Sequence, residues 1–389
     1  MKNEIHQRIE AIRWRLAGKP TSAICRILGR SRDWFYKWWG RFQHEGPAGL
    51  ADQSRRPQRP PRQIRGEGEQ AILLLRQRLA QQRYATIGAP SIARELAFLG
   101  YEPVSLRTIY RVLKKHGLTV DRQRVRPKPA VRGYPLPTIT GSGQWQQIDV
   151  IGPRFLLGSR RKLYFLVLRD LYDQAVYVEV ATSRSAQTLL AFLLRGWHTL
   201  GVPDRLSMDN AAEFSGSLRH QRTFSQVVRL CLLLGVEPVF IPQGEACRHG
   251  GIENFNGLFD RLFYQRVRFR SLAHLRQQLQ HLVHTANHQH PHQRLGYQTS
   301  AEVRQGQPRR LLPNNFTLPK KLPLAAGRVS FIRRIRPSGR ITILNEKFFV
   351  GRRRQGQYVW ATIFTKTQKL KIYHRGRLMK TFEYRLPTT

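Results

Sequence analysis

The chain has 389 residues, of which 41% are hydrophobic, so it is too apolar for a disordered polymer and long enough for roughly two to four compact units. It carries 67 Lys and Arg against 24 Asp and Glu, a formal net charge of +43, which makes a polyanion such as DNA the expected partner. No apolar run reaches the roughly 18 residues of a membrane-spanning helix, and the start of the chain lacks a signal-peptide core. With only three scattered cysteines, these features predict a cytoplasmic protein without a membrane partner.

Apolar residues recur at helical spacing over residues 4–44, which predicts three helices. Gly29 breaks the pattern before the third helix, and Ser31 can cap that helix. The third helix mixes tryptophans with basic residues. A short helix, a glycine-containing turn and a basic helix form a helix-turn-helix plan, predicted here for residues 1–48. The alternative is a small helical bundle whose tryptophans form the core.

A basic, proline-rich linker is predicted over residues 49–66, and a second helix-turn-helix domain over 67–120. Ser105 can cap its last helix, which carries four basic residues. Two such domains suggest a long, bipartite DNA site, although one of them can instead serve as a structural brace. Residues 121–141 form a second basic, proline-rich linker.

From residue 142 the pattern changes to alternating strands and helices. The order of three strands, a helix, a strand, a helix, a strand and a helix predicts a ribonuclease-H-like α/β core with a mixed sheet over residues 142–290. A connector follows over 291–326. Short strands separated by turn residues then predict a small, basic, all-β barrel over 327–389. The predicted fold class is therefore multidomain, with N-terminal all-α units, a central α/β core and a C-terminal barrel.

Three acidic residues of the core lie where the predicted topology brings them together. Asp149 lies inside the first strand, Asp209 ends the fourth strand, and Glu253 opens a helix after two glycines. Three converging carboxylates repel one another unless a cation holds them, and oxygen ligands suit Mg²⁺ or Mn²⁺. Two such ions can promote an in-line phosphoryl displacement. The alternatives are that each acid is a cap or a surface residue, or that Glu245 is the third acid.

Four motifs resemble those of DDE transposases and retroviral integrases, particularly bacterial insertion-sequence transposases with an integrase-type core. They are W-Q-Q-I-D at 145–149, D-N-A-A-E-F at 209–214, H-G-G-I-E-N-F-N-G at 249–257 and the segment at 287–303. The resemblance implies that Asp149, Asp209 and Glu253 are the catalytic, metal-binding residues. It also implies that Asn210, Glu213 and Phe214 shape the site around Asp209.

Two positions depart from the family pattern. Ala211 replaces a glycine that is usual after the Asp-Asn pair. Asp260 stands where relatives often carry a basic residue that contacts terminal phosphates, and Arg261 follows it. The residues predicted to contact DNA are Arg30, Arg32, Lys37, Arg41, Arg55, Arg56, Arg107, Arg111, Lys114, Lys115 and Arg261.

The resemblance implies a transposase that performs metal-dependent 3′-end cleavage and strand transfer of a mobile element. Its expected partners are double-stranded DNA at element ends and target, and further copies of itself on that DNA, in a bacterial, nucleoid-associated setting. Because the chain has no phosphate-binding P-loop, any ATP hydrolysis would need a separate ATPase helper. The alternatives are a catalytically inactive DNA-binding regulator and a structure-selective nuclease of the same fold.

Overall fold

A computed structural model describes most of the chain, namely residues 2–53, 64, 66–119, 133–135, 138–216, 222–245 and 250–387. The chain divides into two compact units, Met1–Arg65 and Gly66–Thr389. Arg55 and Arg56, two of the predicted DNA contacts, lie outside the described residues. Within the described ranges, no helix has the length and apolarity needed to cross a membrane.

The first unit contains three helices, α1 (Lys2–Leu16), α2 (Thr21–Leu28) and α3 (Arg32–Glu45), as the sequence predicts. Gly29 ends α2 in the left-handed conformation, with a φ of 64° that glycine adopts without steric cost. Ser31 then caps α3, because its Oγ accepts a hydrogen bond from the Trp34 amide. The tight turn between α2 and α3 is thus built by the residues that the sequence marks for it.

The second unit begins with three more helices, α4 (Gly66–Gln81), α5 (Ala89–Phe98) and α6 (Leu106–Lys115). One isoleucine from each helix is fully buried between them, namely Ile72, Ile92 and Ile109. The predicted Ser105 cap of α6 is confirmed, since Ser105 Oγ accepts a hydrogen bond from the Thr108 amide.

The core sheet contains five strands from the middle of the chain, β1 (Trp145–Arg154), β2 (Leu163–Asp170), β3 (Val176–Ala181), β4 (Arg205–Met208) and β5 (Glu237–Phe240). Their order is β5-β4-β1-β2-β3, with β1 antiparallel to β2 and parallel to β4. The first and fourth strands are neighbours, as the predicted convergence of Asp149 and Asp209 requires.

Helices cover both faces of this sheet. They are α7 (Ala186–Leu200), α8 (Ala212–Ser215), α9 (Gln226–Leu233), α10 (Gly250–Phe259), α11 (Leu272–His288) and α12 (Ser300–Gln305). Successive residues of β2 point to opposite faces: Leu166 and Leu168 join the core formed with α7 and α9, whereas Phe165 and Val167 join that of α10 and α11. The predicted α/β core is confirmed.

The initial helices of the second unit are docked on this core. Tyr84, which follows α4, donates its hydroxyl to Gln278 Oε1 of α11 at 2.7 Å, and Arg83 donates to the same oxygen at 2.8 Å. On α5, Arg94 forms a bidentate ion pair with Glu302 of α12. The α4–α6 helices therefore belong to the same compact unit as the sheet.

The C-terminal strands do not form a separate barrel, which corrects the sequence prediction. They are β6 (Arg328–Arg334), β7 (Arg340–Ile343), β8 (Glu346–Phe349), β9 (Tyr358–Phe364), β10 (Lys369–His374) and β11 (Arg377–Glu383). β6 pairs in parallel with β5, and the order β11-β10-β9-β6 extends the core sheet to nine strands. The β7–β8 hairpin is a second, two-stranded sheet. The local sequence pattern predicts that these segments are strands. It does not predict that β6 pairs with β5, because the two strands are distant in sequence.

Candidate active site

Asp149 and Asp209 lie at matching positions on two neighbouring parallel strands. The pairing of β1 with β4 ends at Gln147 and Ser207, which face each other. Asp149 comes two residues after Gln147, and Asp209 comes two residues after Ser207. Because side chains alternate along a strand, residues two apart lie on the same face. The topology therefore places both carboxylates at one end of the sheet, level with each other.

The two carboxylates are close enough to interact electrostatically. The pKa of Asp209 is raised, first because the group is partly buried and then because the charges of Asp149 and Glu213 disfavour its ionised form. The Ala211 amide and Arg184 act in the opposite direction. Asp149 and Asp209 thus form a like-charged pair, which is the arrangement that a bound cation would relieve.

Asn256 of α10 holds Asp149 in place, a contact that the sequence analysis did not predict. Its Nδ2 donates a hydrogen bond to Asp149 Oδ2 at 2.7 Å, and the Val150 amide donates to Oδ1 at 2.9 Å. The available signal was the position of Asn256 within the H-G-G-I-E-N-F-N-G motif, three residues after Glu253. Residues three apart share a helix face, so Asn256 places this face of α10 against β1.

The start of α10 is anchored to β1 and β2 by two further side chains. Gln147 Oε1 accepts a hydrogen bond from the Ile252 amide at 3.0 Å, and Arg169 Nη1 donates to the Gly251 carbonyl oxygen at 2.5 Å. A Cβ on Gly251 would lie 2.6 Å from Leu171 Cδ2 and 2.8 Å from Gln147 Oε1, so the ends of both side chains would have to shift to accommodate it. Glycine therefore permits this close approach without displacing Gln147, whose Oε1 accepts the hydrogen bond from the Ile252 amide.

Glu253 lies in the first turn of α10 and is exposed to solvent. Across the described ranges, no group of three or more His, Cys, Asp or Glu side chains is arranged to hold a metal ion. The structure thus brings Asp149 and Asp209 together and carries Glu253 on the helix that contacts Asp149. Glu245, the alternative third acid, accepts a hydrogen bond at Oε2 from the Tyr358 hydroxyl at 2.6 Å.

The loop after β4 is fixed at several points around Asp209. The Ala211 amide donates to Asp209 Oδ1 at 3.0 Å. Asn210 Nδ2 donates to the Ile241 carbonyl oxygen at 2.7 Å, and Asn210 Oδ1 accepts a hydrogen bond from Arg333 Nη2 at 2.7 Å. The sequence analysis did not predict the contribution of Arg333, which comes from β6.

The other two residues that the resemblance assigned to this loop have different surroundings. Glu213 forms an ion pair with Arg184 at 2.9 Å, whereas Phe214 is buried in the core beneath the loop. Ala211 has a φ of −58°, a conformation open to any residue, so the replacement of the usual glycine requires no backbone strain.

Asp260 binds an arginine from the sheet. Its carboxylate forms an ion pair with Arg154 at 3.0 Å, and the Arg154 guanidinium lies 5.0 Å from the ring centroid of Tyr264. Arg154 belongs to β1, five residues after Asp149. Arg261, the predicted DNA contact, is exposed. Positive charge is therefore present beside Asp260 although the residue itself is acidic.

The basic residues predicted to contact DNA from α6 differ in their surroundings. Three of them, Arg107, Arg111 and Lys114, are exposed, and so is Tyr110 on the same helix. Their spacing places them on one face of the helix. Lys115 instead forms an ion pair with Glu69 of α4 at 2.7 Å.

In the first unit, Arg32 and Lys37 of α3 are exposed, as expected for DNA contacts. Arg30 donates to Gln7 Oε1 at 2.8 Å and lies 5.5 Å from the ring of Trp34, so part of its guanidinium is engaged within the unit. Arg41 lies 5.0 Å from the ring of Trp38, which is buried. Trp38 is therefore a core residue, as the helical-bundle alternative expects. The exposed Arg32 and Lys37 remain available to contact DNA.

Three family models match the chain. Residues 7–58 match a helix-turn-helix domain, residues 34–113 a homeodomain-like domain, and residues 234–299 the integrase core domain. The last of these ranges contains β5, α10 with Glu253, and α11. Several solved retroviral structures are also similar.

The HTLV-2 integrase catalytic core domain in complex with magnesium, in its trimeric form, aligns over 42% of this chain and 97% of its own, at 16% identity and a TM-score of 0.32. A chain of the simian T-cell lymphotropic virus intasome in complex with PP2A regulatory subunit B56 gamma aligns over 70% of this chain and 88% of its own, at 13% identity and a TM-score of 0.38. The BIV integrase catalytic core domain aligns over 42% and 94%, at 16% identity and a TM-score of 0.32.

The matched domains occur in the order that the sequence motifs imply. Helix-turn-helix domains precede the integrase core, and the W-Q-Q-I-D, D-N-A-A-E-F and H-G-G-I-E-N motifs lie on β1, after β4 and on α10. The chain thus matches helix-turn-helix and homeodomain-like models over residues 7–113 and the integrase core model over residues 234–299.

Proposed function

We propose that the protein is a DNA transposase that cleaves the 3′ ends of a mobile element and joins them to target DNA. The observation that carries this proposal is the like-charged pair Asp149 and Asp209 on neighbouring parallel strands. The helix that bears Glu253 is bonded to the same strand through Asn256 and Gln147. Helix-turn-helix domains on the same chain suit the recognition of element ends.

The side chains of this site fit Mg²⁺ or Mn²⁺ in their chemistry. Asp149, Asp209 and Glu253 offer only carboxylate oxygens, the ligands that these ions prefer, and the repulsion between the two aspartates favours a cation beside them. We assign the binding of two ions to these three residues. When bound, such ions lower the pKa of an attacking water or 3′-hydroxyl and neutralise the leaving oxygen.

The residues of the chain orient the carboxylates for both steps. Asn256 and the Val150 amide fix the plane of the Asp149 carboxylate, and the Ala211 amide fixes that of Asp209. A carboxylate has about four lone-pair sites, so these bonds leave acceptor capacity on each group. Hydrolysis at the element end and attack of the new 3′-hydroxyl on target DNA are both in-line phosphodiester displacements, and one site can serve both.

DNA would be bound by the exposed face of α6 and by α3. Arg107, Arg111 and Lys114 supply phosphate contacts on α6, and Arg32 and Lys37 supply them on α3. Because a transposition event pairs two element ends, the working complex contains at least two copies of the chain on DNA.

The test is a joining assay with a labelled duplex that carries the element's terminal repeat, a supercoiled plasmid and Mg²⁺ or Mn²⁺. We expect the wild type to join the label to the plasmid. Asp149→Asn and Asp209→Asn should bind DNA normally, but their joining rates should fall by about 100-fold or more. Asp204→Asn, which changes an exposed carboxylate just before β4, should leave joining unchanged. Wild-type binding without cleavage would instead indicate a regulator, and cleavage without joining a nuclease.

A further inference from the structure

Arg333 is a buried arginine whose guanidinium lies against the Asp209 loop. It belongs to β6, on the C-terminal side of the chain, and only 6% of the residue is exposed. Its Nη2 donates to Asn210 Oδ1 at 2.7 Å, its Nη1 to the Ile241 carbonyl oxygen at 2.9 Å, and its Nε to the Thr342 carbonyl oxygen at 2.9 Å. The guanidinium therefore joins the loop after β4, the end of β5 and the β7–β8 hairpin.

Asn210 is held from both ends of its side-chain amide. Its Oδ1 accepts from Arg333, and its Nδ2 donates to the same Ile241 carbonyl oxygen that Arg333 Nη1 also contacts. Asn210, Ile241 and Arg333 thus form a closed set of hydrogen bonds. Since Asn210 directly follows Asp209, this set fixes the backbone from which the Asp209 carboxylate projects.

Burying the charged guanidinium of Arg333 costs desolvation free energy, and the geometry of its hydrogen bonds explains why an arginine is used here. Burial lowers the pKa of Arg333 to about 10, so the group still carries its charge at neutral pH. A well-packed apolar side chain often stabilises a core as much as a buried charge does. The planar fork of guanidinium donors, however, can bind several oxygens at fixed angles, which an apolar side chain or a lysine cannot do.

We infer that Arg333 is a positioning residue that holds the Asp209 loop in its reactive geometry through Asn210. The C-terminal strands are then part of the active site's support. This inference rests on the proposed function for its effect on catalysis, whereas its structural part concerns the loop alone.

The experiment compares Arg333→Met, Arg333→Lys, Asn210→Ala and the Arg333→Met/Asn210→Ala double variant in the full chain. Arg304→Met is the matched control: the Arg304 side chain is 11% exposed and binds Asp173 and the Leu200 carbonyl oxygen at the other end of the sheet. Two quantities are measured for each protein. They are the joining rate at saturating DNA and Mg²⁺, and the hydrogen exchange of backbone amides in residues 209–214.

We expect Arg333→Met to lower the joining rate about tenfold or more while DNA affinity stays within about twofold, because small displacements of catalytic groups are costly. Arg333→Lys should retain part of the rate, and Arg333→Met should cause no further loss when Asn210 is already alanine. Exchange in residues 209–214 should rise in Arg333→Met and stay at the wild-type level in Arg304→Met, even if both variants melt earlier.

Wild-type joining and wild-type exchange in Arg333→Met would overturn the inference. Equal losses in Arg304→Met would overturn it as well, since they would trace to general destabilisation. If the wild type does not join DNA at all but the exchange of residues 209–214 still responds to Arg333 and not to Arg304, the proposed function fails and the positioning of the loop stands.

Discussion

At the scale of single residues, Gly251 controls how closely α10 approaches β1. We expect Gly251→Ala to lower the free energy of unfolding by about 1 kcal/mol, because the alanine Cβ would displace Leu171 Cδ2 and Gln147 Oε1, and Gln147 Oε1 accepts a hydrogen bond from the Ile252 amide. A shift of Gln147 would loosen the anchor of the helix that carries Asn256 and Glu253, so joining should fall as well. Urea unfolding and the joining assay measure the two effects.

Gly250→Ala is the matched control for this change. A Cβ on Gly250 meets no described atom within 4 Å, and alanine favours a helix more than glycine does. Gly250→Ala should therefore keep or slightly raise the stability and keep the joining rate. Equal effects of the two substitutions would contradict the assigned role of Gly251.

The sequence predicted the position of Asp149 and Asp209 but not the residues that hold them. Each aspartate lies at a recognisable place on a strand, and its motif marks it. Asn256, Gln147 and Arg333 are ordinary polar residues in sequence, and they acquire their roles only when α10 and β6 approach β1 and the β4 loop. Such contacts depend on tertiary geometry, which local pattern does not encode.

At the scale of elements, α6 presents two kinds of basic residue. Arg111 is exposed on the same face as Arg107 and Lys114, whereas Lys115 is paired with Glu69. We expect Arg111→Ala to weaken DNA binding by about 1 kcal/mol or more. The slope of the logarithm of the DNA association constant against the logarithm of the salt concentration should become shallower by about one. Fluorescence anisotropy over a series of salt concentrations measures both quantities.

Lys115→Ala removes the same charge from the same helix and is the control. Because Glu69 already compensates Lys115, its removal should change the salt slope by less than that of Arg111. A larger effect of Lys115→Ala than of Arg111→Ala would show that another face of α6 contacts DNA.

Helices and strands were predicted well because their periodicity is local. The capped starts of α3 and α6 are visible in the sequence, and so is the continuous apolar run of β2, which is typical of a strand buried on both faces. The separate C-terminal barrel was wrong for a different reason. β6 has five consecutive buried residues, Val329–Arg333, as expected for a strand covered on both faces, yet nothing local identifies β5 as its neighbour.

At the scale of the whole molecule, one sheet carries the candidate active site and the C-terminal strands. Phe240 of β5 stacks on Phe331 of β6 with ring centroids 4.9 Å apart, and Ser330 Oγ donates to Glu237 Oε1 at 2.5 Å. Residues from β6, β9 and β10 share one hydrophobic core with α7 and α9. The stability of the β4–β5 end of the sheet, where Asp209 lies, is thereby coupled to residues 327–389.

We therefore expect deletion of residues 327–389 to unfold or aggregate the second unit rather than leave an intact catalytic core. The deletion uncovers the hydrogen-bonding edge of β5 and the apolar surface of Phe240, both of which favour aggregation. Near-UV circular dichroism, size-exclusion chromatography and urea unfolding measure the outcome, with deletion of residues 387–389, beyond β11, as the control. A truncated chain with the native near-UV spectrum and an unchanged unfolding midpoint would instead support the predicted independent barrel. Only a self-contained domain can be removed without destabilising its neighbour.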